Sequence, residues 1–503
     1  MAALALDRAA DPAPAPSPDA ERPLHVALGL AVLTAAAAWI VHVRLGTSLL
    51  HFDAKAHLVV ARRTIDSLTP GWTQLGAVWL PLPHILNALP AQSQVLYTSG
   101  LFASALSFLA FAIALAALAR AARAGTGDPW AGVVALAVPA LNPGWLYLQS
   151  TPLIEALFLA TVSVALAGFV VWHVQGRSRA LGVAVAASAC ACWVRYEAWP
   201  VLGLAALWAV SAAPAERRRR VAGLALGLGV AAPLLAYGAH SWAASGIPFY
   251  VIGSGNLTER RGDLLFALRL AGDGLTQAFG LPLIAAAALA FLATLRRMRH
   301  DPLPALALAA LGPLAVTLTA YLAGHPPKAR YALLAAPALG LALAAATRGR
   351  RLAQAIALLA AALQIRTAPH PLPVLREALR DRGDVVARLP VLDALRDRYD
   401  GRRILASMAS LAPVLFELGQ RGVPLRDVVH EGNEGWWESA IVDPGREVGW
   451  IIIAHGDALD AVRQVRSAFP EGFVPVLRFG RVTIYRRDEN RGMTALTASG
   501  PPL

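Results

Sequence analysis

Charge is what this chain is short of: 15% of its 503 residues are Asp, Glu, Lys or Arg, against 56% hydrophobic residues and a mean hydropathy of +0.52. Soluble domains carry about a quarter charged residues, so water is excluded as the principal solvent. Cysteine is scarcer still, with Cys190 and Cys192 alone, inside one apolar run. Their spacing suits neither a common disulfide nor a zinc site, and they report nothing about redox compartment. Acidic residues are outnumbered, 32 against 45 Lys and Arg, which leaves a net charge of +13. The basic residues lie in short runs between apolar stretches rather than on one patch, a pattern of membrane topology that argues against nucleic-acid binding.

What the chain has in excess is Ala-, Leu- and Val-rich runs near the roughly 20 residues that cross about 30 Å of hydrocarbon. The run Leu24 to Val43 is too long for a typical signal-peptide core and reads as a retained anchor. Before it, residues 1–23, with Pro12, Pro14, Pro16 and Pro18, read as a disordered cytoplasmic N-terminus. Further spans are expected at Val95 to Ala119, Trp130 to Leu148, Leu153 to Trp172, Leu181 to Val194 and Ala198 to Ala213. Others follow at Val221 to Trp242, Leu275 to Leu295, Leu303 to Ala323, Tyr331 to Ala346 and Leu352 to Ile365, about eleven in all.

Every second loop is basic: Arg120 and Arg123, Arg177 and Arg179, Arg217 to Arg220, Arg296 to Arg299, and Arg348 to Arg351. The positive-inside rule makes those loops and the N-terminus cytoplasmic, and puts the chain after Ile365 outside. The intervening loops then share the other face. The first, residues 44–94, carries Asp53, Lys55, His57, Arg62, Arg63, Asp66 and His84, and the second Gln149, Ser150, Thr151 and Glu155. The third is Arg195-Tyr196-Glu197, the fourth holds Glu259, Arg260, Arg261 and Asp263, and the fifth runs from His325 through Lys328, Arg330 and Tyr331.

Each motif has two readings. Asp53, just after the first span, is either a helix cap or a partly desolvated carboxylate whose raised proton affinity suits a general base. His57, one helical turn on, is either a hydrogen-bonding residue or half of a metal pair that lacks a third ligand. The stretch Thr69 to His84, broken by Pro and Gly and rich in Trp, is either an interfacial anchor or a platform shaping a lipid-substrate groove. Glu155, at membrane depth, requires a partner or a function unless it closes a capping box with Thr151. Arg195-Tyr196 and Arg330-Tyr331, with Lys328, suit a phosphate or pyrophosphate, or else snorkel to the interface.

These residues resemble the GT-C membrane glycosyltransferases, specifically the family-39-like group of protein O-mannosyltransferases and lipid A aminoarabinose transferases. The resemblance covers most of the chain. It is carried by the first-loop acid in Phe52-Asp53-Ala54-Lys55-Ala56-His57-Leu58, by Thr151-Pro152-Leu153-Ile154-Glu155, by the late Arg330-Tyr331 and by Trp79-Leu80-Pro81-Leu82-Pro83-His84. It implies inverting transfer from a polyprenyl-phosphate sugar donor to an extracytoplasmic acceptor, a glycan, lipid or protein, with membrane lipid as surroundings. Asp53 would act as base and Glu155, the second catalytic residue, would position the acceptor or share the proton, while Lys328, Arg330 and Arg195 would stabilise the leaving phosphate. Lys55, His57, His84, Tyr196, Glu197 and Tyr331 complete the expected substrate-binding set. No cofactor is implied, and a divalent metal is left open. O-mannosyltransferases show two adjacent acids in the first loop, where Asp53 here is followed by Ala54, so the acceptor does not transfer from that branch.

The expected fold is therefore mostly α, a multi-pass GT-C-like bundle over residues 24–365 in the cell (inner) membrane. A small extracytoplasmic α/β domain over 366–490 and a disordered tail, 491–503, complete it. In that domain Arg403 to Ser407, Val448 to Ala454 and Arg481 to Tyr485 read as strands, and Ala409 to Gly419 and Asp457 to Phe469 as helices. Its His430 to Trp437 segment reads as an acceptor contact or as a lid packed on the bundle. The rival function is a transporter or flippase, which places substrate near the midplane with internal repeats, and the sequence displays neither an evident repeat nor deeply buried charge pairs. A non-catalytic binder of lipid-linked glycan is the third.

Overall fold

The computed structural model describes residues 18–213, 216–249, 260–465 and 472–488. The expected disorder of the first seventeen residues and of the tail from 491, and the fourth-loop Glu259, fall outside them. Residues 18–23, expected to be disordered, instead form the first turns of helix α1 (Pro18–Arg44), where Asp19 and Glu21 complement the positive end of the helix.

The chain continues through α2 (Phe52–Arg63), α3 (Leu82–Ala88), α4 (Gln94–Ser99), α5 (Leu101–Thr126), α6 (Pro129–Ala140) and α7 (Pro143–Leu148). Next come α8 (Glu155–Gln175), α9 (Ser178–Cys192), α10 (Ala198–Ser211), α11 (Glu216–Leu226), α12 (Ala232–Ser245), α13 (Leu264–Phe279) and α14 (Leu281–Thr294). The bundle closes with α15 (Pro302–Ala309), α16 (Gly312–Leu322), α17 (Ala329–Leu333), α18 (Ala336–Thr347) and α19 (Arg351–Thr367). Alanine and glycine let these helices approach closely: a Cβ on Gly340 of α18 would stand 2.6 Å from the Ala135 carbonyl of α6.

Among the described residues six helical stretches are long and apolar enough to cross a membrane, or seven if the bent pair α13 and α14 forms one span. The expected count of about eleven is corrected downward, for local reasons. Asn142 stops the Trp130 to Leu148 run, its side chain accepting from the Trp145 N–H at 3.1 Å to start α7. Gly100 (φ +62) separates α4 from α5, and Gly280 (φ +73) separates α13 from α14 at a bend of 108°. α9 and α10, at 15 and 14 residues, reach only about 22 Å, short of the hydrocarbon thickness. In α19 the buried Gln354 and Gln364 bond Asp128 and Asn142, which fastens it to α6 and α7.

After α19 the chain forms α20 (Pro373–Arg398) and a five-stranded sheet built from β1 (Ile404–Ala406), β2 (Val428–Val429), β3 (Trp450–Ala454), β4 (Phe473–Phe479) and β5 (Val482–Arg487), with α21 (Met408–Gln420) following β1. Strand order is β2-β1-β3-β5-β4, with β1 parallel to β2 and β3, and β5 antiparallel to β3 and β4. The three expected strands are present. β2, two residues long, and β4, interrupted at Pro475, are too short or too irregular to show periodicity. The end of the expected Asp457 to Phe469 helix lies outside the described residues.

This sheet unit shares a core with the first loop: Leu58, Val59, Ala61 and Tyr97 pack among Leu411, Leu415, Phe416 and Ile404. Polar ties reinforce it. Asp66 accepts from the Leu425 and Arg426 N–H groups at 3.2 and 3.3 Å, and Asn433 Nδ2 donates to Ser67 Oγ and Thr69 Oγ1 at 3.1 and 2.9 Å. Gln74 Nε2 donates to the Gly432 carbonyl at 2.7 Å. The His430 to Trp437 segment thus packs against the first loop. At the centre Lys55 Nζ lies 2.7 Å from Glu417, which also receives Arg388 at 2.5 and 2.6 Å, all three nearly inaccessible.

Burial opposes the charge on Glu417, but Arg388 and Lys55 outweigh it and hold the carboxyl below its ordinary value. A carboxyl depressed in the folded state stabilises above its ordinary pKa of 4.5 and loses that contribution as pH falls through the folded value. Glu417→Gln leaves two buried cations short of charge and is expected to cost about 3–5 kcal/mol. The check is the melting temperature of the detergent-solubilised protein, which should be lower in the variant at neutral pH and converge on wild type in acid.

Candidate active site

Asp53 does not cap α2. The Nδ1 of His51 accepts from the Asp53 N–H at 3.1 Å and serves as the cap, so the carboxylate is released for another partner. That partner is Arg330 at the start of α17, whose Nη2 forms a close ion pair with Asp53 Oδ2. Arg330 Nε lies 3.1 Å from Oε1 of Glu155, the first residue of α8, and the same oxygen accepts from Arg195 Nη1 at 2.7 Å. Arg195 then chelates Glu197 through Nε and Nη2 at 3.1 and 2.6 Å. Charges alternate along the series Asp53, Arg330, Glu155, Arg195, Glu197, and only Asp53, 17% exposed, retains appreciable access. The Tyr331 ring lies beneath both guanidinium groups, 5.6 Å from that of Arg195 and 6.0 Å from that of Arg330.

Six of the residues singled out by sequence, Asp53, Glu155, Arg195, Glu197, Arg330 and Tyr331, therefore meet at one place. Lys328, half-buried just before α17, has no carboxylate within ion-pair distance among the described residues. His57 and His84 form a buried pair beside the charges, His57 Nδ1 lying 2.9 Å from His84 Nε2, with Trp79 tilted over His57 at 4.3 Å. Two of the expected ligands have partners elsewhere. Lys55 pairs with Glu417 and ties the first loop to the sheet unit. Tyr196 bonds the Val78 carbonyl and the Tyr237 hydroxyl, each at 2.9 Å, and so fastens the Thr69 to His84 stretch.

Sequence reasoning missed His51 and Glu377. Glu377 Oε1 accepts from the Ala329 N–H at 2.8 Å and its Oε2 lies 3.6 Å from His51 Nε2. A histidine two residues before Asp53 was the available signal for the first; nothing local marks the second. Among the described residues no group of three or more His, Cys, Asp or Glu side chains is placed to hold a metal ion.

The electrostatics also revise the expected base. Burial alone would raise the proton affinity of Asp53, as expected from sequence, but Arg330 and His51 outweigh it and hold the carboxyl well below the usual range. His57 is pushed down to about 3, chiefly by burial. A histidine depressed in the folded state destabilises as pH falls from its ordinary 6.5 toward that value, because the unfolded chain takes up the proton first. His57→Phe, which keeps an aromatic ring against Trp79, is expected to flatten the decline of melting temperature between pH 6.5 and 4; an unaltered slope would show that His57 does not titrate this way.

No protein-family model and no curated protein sequence matches the chain. Solved structures do. ArnT from Cupriavidus metallidurans bound to undecaprenyl phosphate is similar at a TM-score of 0.57 and 13% identity, over 91% of this chain and 97% of that one. Its apo state gives 0.57 and 13%, over 94% and 98%. The oligosaccharyltransferase of Archaeoglobus fulgidus in the apo form aligns at 0.49 and 12%, over 86% of this chain and 69% of that one. The alignments run over nearly the whole length of ArnT, and they show that the chain shares its fold, the GT-C fold.

Proposed function

We propose that the chain is an integral membrane glycosyltransferase that moves a hexosyl or pentosyl group from a polyprenyl-phosphate donor to an extracytoplasmic acceptor, with inversion. The observation that carries this reading is the buried series of alternating charges ending at Asp53, in a fold shared with a protein captured bound to undecaprenyl phosphate. Lys328, without a carboxylate of its own, is the first cation a lipid phosphate would meet. The phosphate then competes with Asp53 for the Arg330 fork, since guanidinium binds either oxyanion in the same geometry.

Once Arg330 turns to phosphate, burial dominates at Asp53 and its proton affinity rises, so donor binding itself prepares the base. The acceptor hydroxyl gives its proton to Asp53 as its oxygen bonds the anomeric carbon, and the bond from that carbon to the phosphate oxygen breaks in line. The electron pair departs onto a phosphate neutralised by Lys328 and Arg330. Glu155 Oε2, buried and without a hydrogen-bond partner among the described residues, is suited to orient the acceptor hydroxyl. Arg195 and Glu197 keep Glu155 in place.

Asp53→Asn is expected to lower transfer by at least about 100-fold at an unchanged membrane level, read by mass spectrometry of envelope glycans and glycoproteins against a deletion strain. Retained transfer would remove Asp53 from the chemistry, and movement of lipid-linked substrate without transfer would favour a transporter. The reading also requires sidedness: N-terminus and basic loops cytoplasmic, sheet unit outside, in the cell membrane. After Cys190 and Cys192 are replaced by Ala, Asp397→Cys should react with an impermeant thiol reagent from outside the cell membrane and Arg177→Cys should not. Labelling of both from one side would overturn the arrangement.

A further inference from the structure

Glu377 lies on α20, where the apolar chain gives way to the charged C-terminal region. One of its oxygens receives the first N–H of α17 and the other faces the His51 cap of α2, whose Nε2 is also 3.1 Å from Arg330 Nη1. Eleven residues along the same helix Arg388 grips Glu417 at 2.5 and 2.6 Å, and Glu417 holds Lys55 of α2. Eleven residues are about three turns, so Glu377 and Arg388 share a face of α20 roughly 16 Å apart. One helix face therefore reaches the N-terminus of α2, its Lys55 and the N-terminus of α17.

We propose that Glu377 is a positioning residue that sets the Lys328–Arg330 segment where it meets the donor phosphate, with α20 acting as the clamp between the helices carrying Asp53 and Arg330. This rests on the donor reading above. α17 has five residues and begins one residue after Pro326-Pro327, with Lys328 at its N-cap, and its leading N–H groups have no partner within the helix. Glu377 satisfies one of them with a charged acceptor. Its charge also acts on Lys328 and Arg330 at longer range, without the direct pair with Arg330 that Asp53 and Glu155 make. Burial works against that charge, but His51, the Ala329 N–H, Arg330 and Lys328 hold the carboxyl below its ordinary value, so it remains an anion at neutral pH.

The test uses the full chain in lipid nanodiscs with undecaprenyl phosphate as the probe, measuring its dissociation constant and the melting temperature separately. Glu377→Gln keeps the shape and loses the charge, and is expected to weaken binding about tenfold with little change in melting. Glu377→Asp, which keeps the charge on a shorter arm, is expected to recover part of the loss and covers the case in which the Gln variant does not fold. Lys328→Gln serves as the reference for a direct phosphate contact. Normal affinity in Glu377→Gln beside weakened affinity in Lys328→Gln would overturn the positioning role alone. Lower melting with normal affinity of the folded fraction would do the same, reducing Glu377 to a structural role. Normal affinity in both variants, or none in wild type, would overturn the donor reading together with the clamp.

Discussion

The structure turns on five side chains whose charges alternate, four of them buried and Asp53 partly so. A carboxylate or guanidinium taken out of water alone costs several kcal/mol, and removing one partner from a buried pair exposes that cost. Asp53, Arg330, Glu155, Arg195 and Glu197 escape it only together, each charge touching one or two of opposite sign. They come from α2, α17, the start of α8 and the link between α9 and α10. Closing the series therefore requires those segments to meet, and the bundle is arranged so that they do. Three carboxylates against two guanidinium groups leave the series one negative charge in excess, with Lys328 and Glu377 at its edge. On the proposed reading, an added phosphate would change the pairing rather than fill an empty slot.

The second constraint is the irregular stretch between α2 and α3. A backbone without regular structure needs partners for its carbonyls wherever water is excluded. Here three successive carbonyls are met from other elements: Gly76 by His240 at 2.8 Å, Ala77 by Tyr237 at 2.8 Å and Val78 by Tyr196 at 2.9 Å. Arg63 Nε donates to the Gln74 carbonyl at 2.6 Å, and the Leu82 N–H bonds the Trp193 carbonyl at 3.0 Å. The other edge of the stretch is held by Gly432 and Asn433 of the sheet unit. The wall beside Asp53 is consequently built jointly by the bundle and the C-terminal region.

Some of the site was legible because polarity is conspicuous in an apolar chain. Asp53, Glu155, Arg195, Glu197 and Arg330 stand out for the same energetic reason that forces them to pair. Their partners were not legible. Lys55 looks as much like a phosphate ligand as Arg330 does, and only its 2.7 Å contact with a residue 362 positions away assigns it to docking. Glu377 is one acid among several in a charged helix, and its role comes from the fold returning α20 to α17. For Asp53 the sequence leaves a helix cap and a carboxyl raised by burial both open, and a cation 277 residues distant tips the balance the other way.

Composition and the order of apolar runs determined that the chain is a helical membrane protein with a small mixed sheet unit after it, because hydrophobicity and periodicity are local quantities summed along the chain. The number of crossing helices was left to tertiary structure. Whether a run at Trp130 or Leu181 spans depends on a cap at Asn142 or on a helix ending after fifteen residues. Tertiary structure also decided which charge neutralises which. Coulomb energy depends on distance and burial in space, and separation in sequence carries neither.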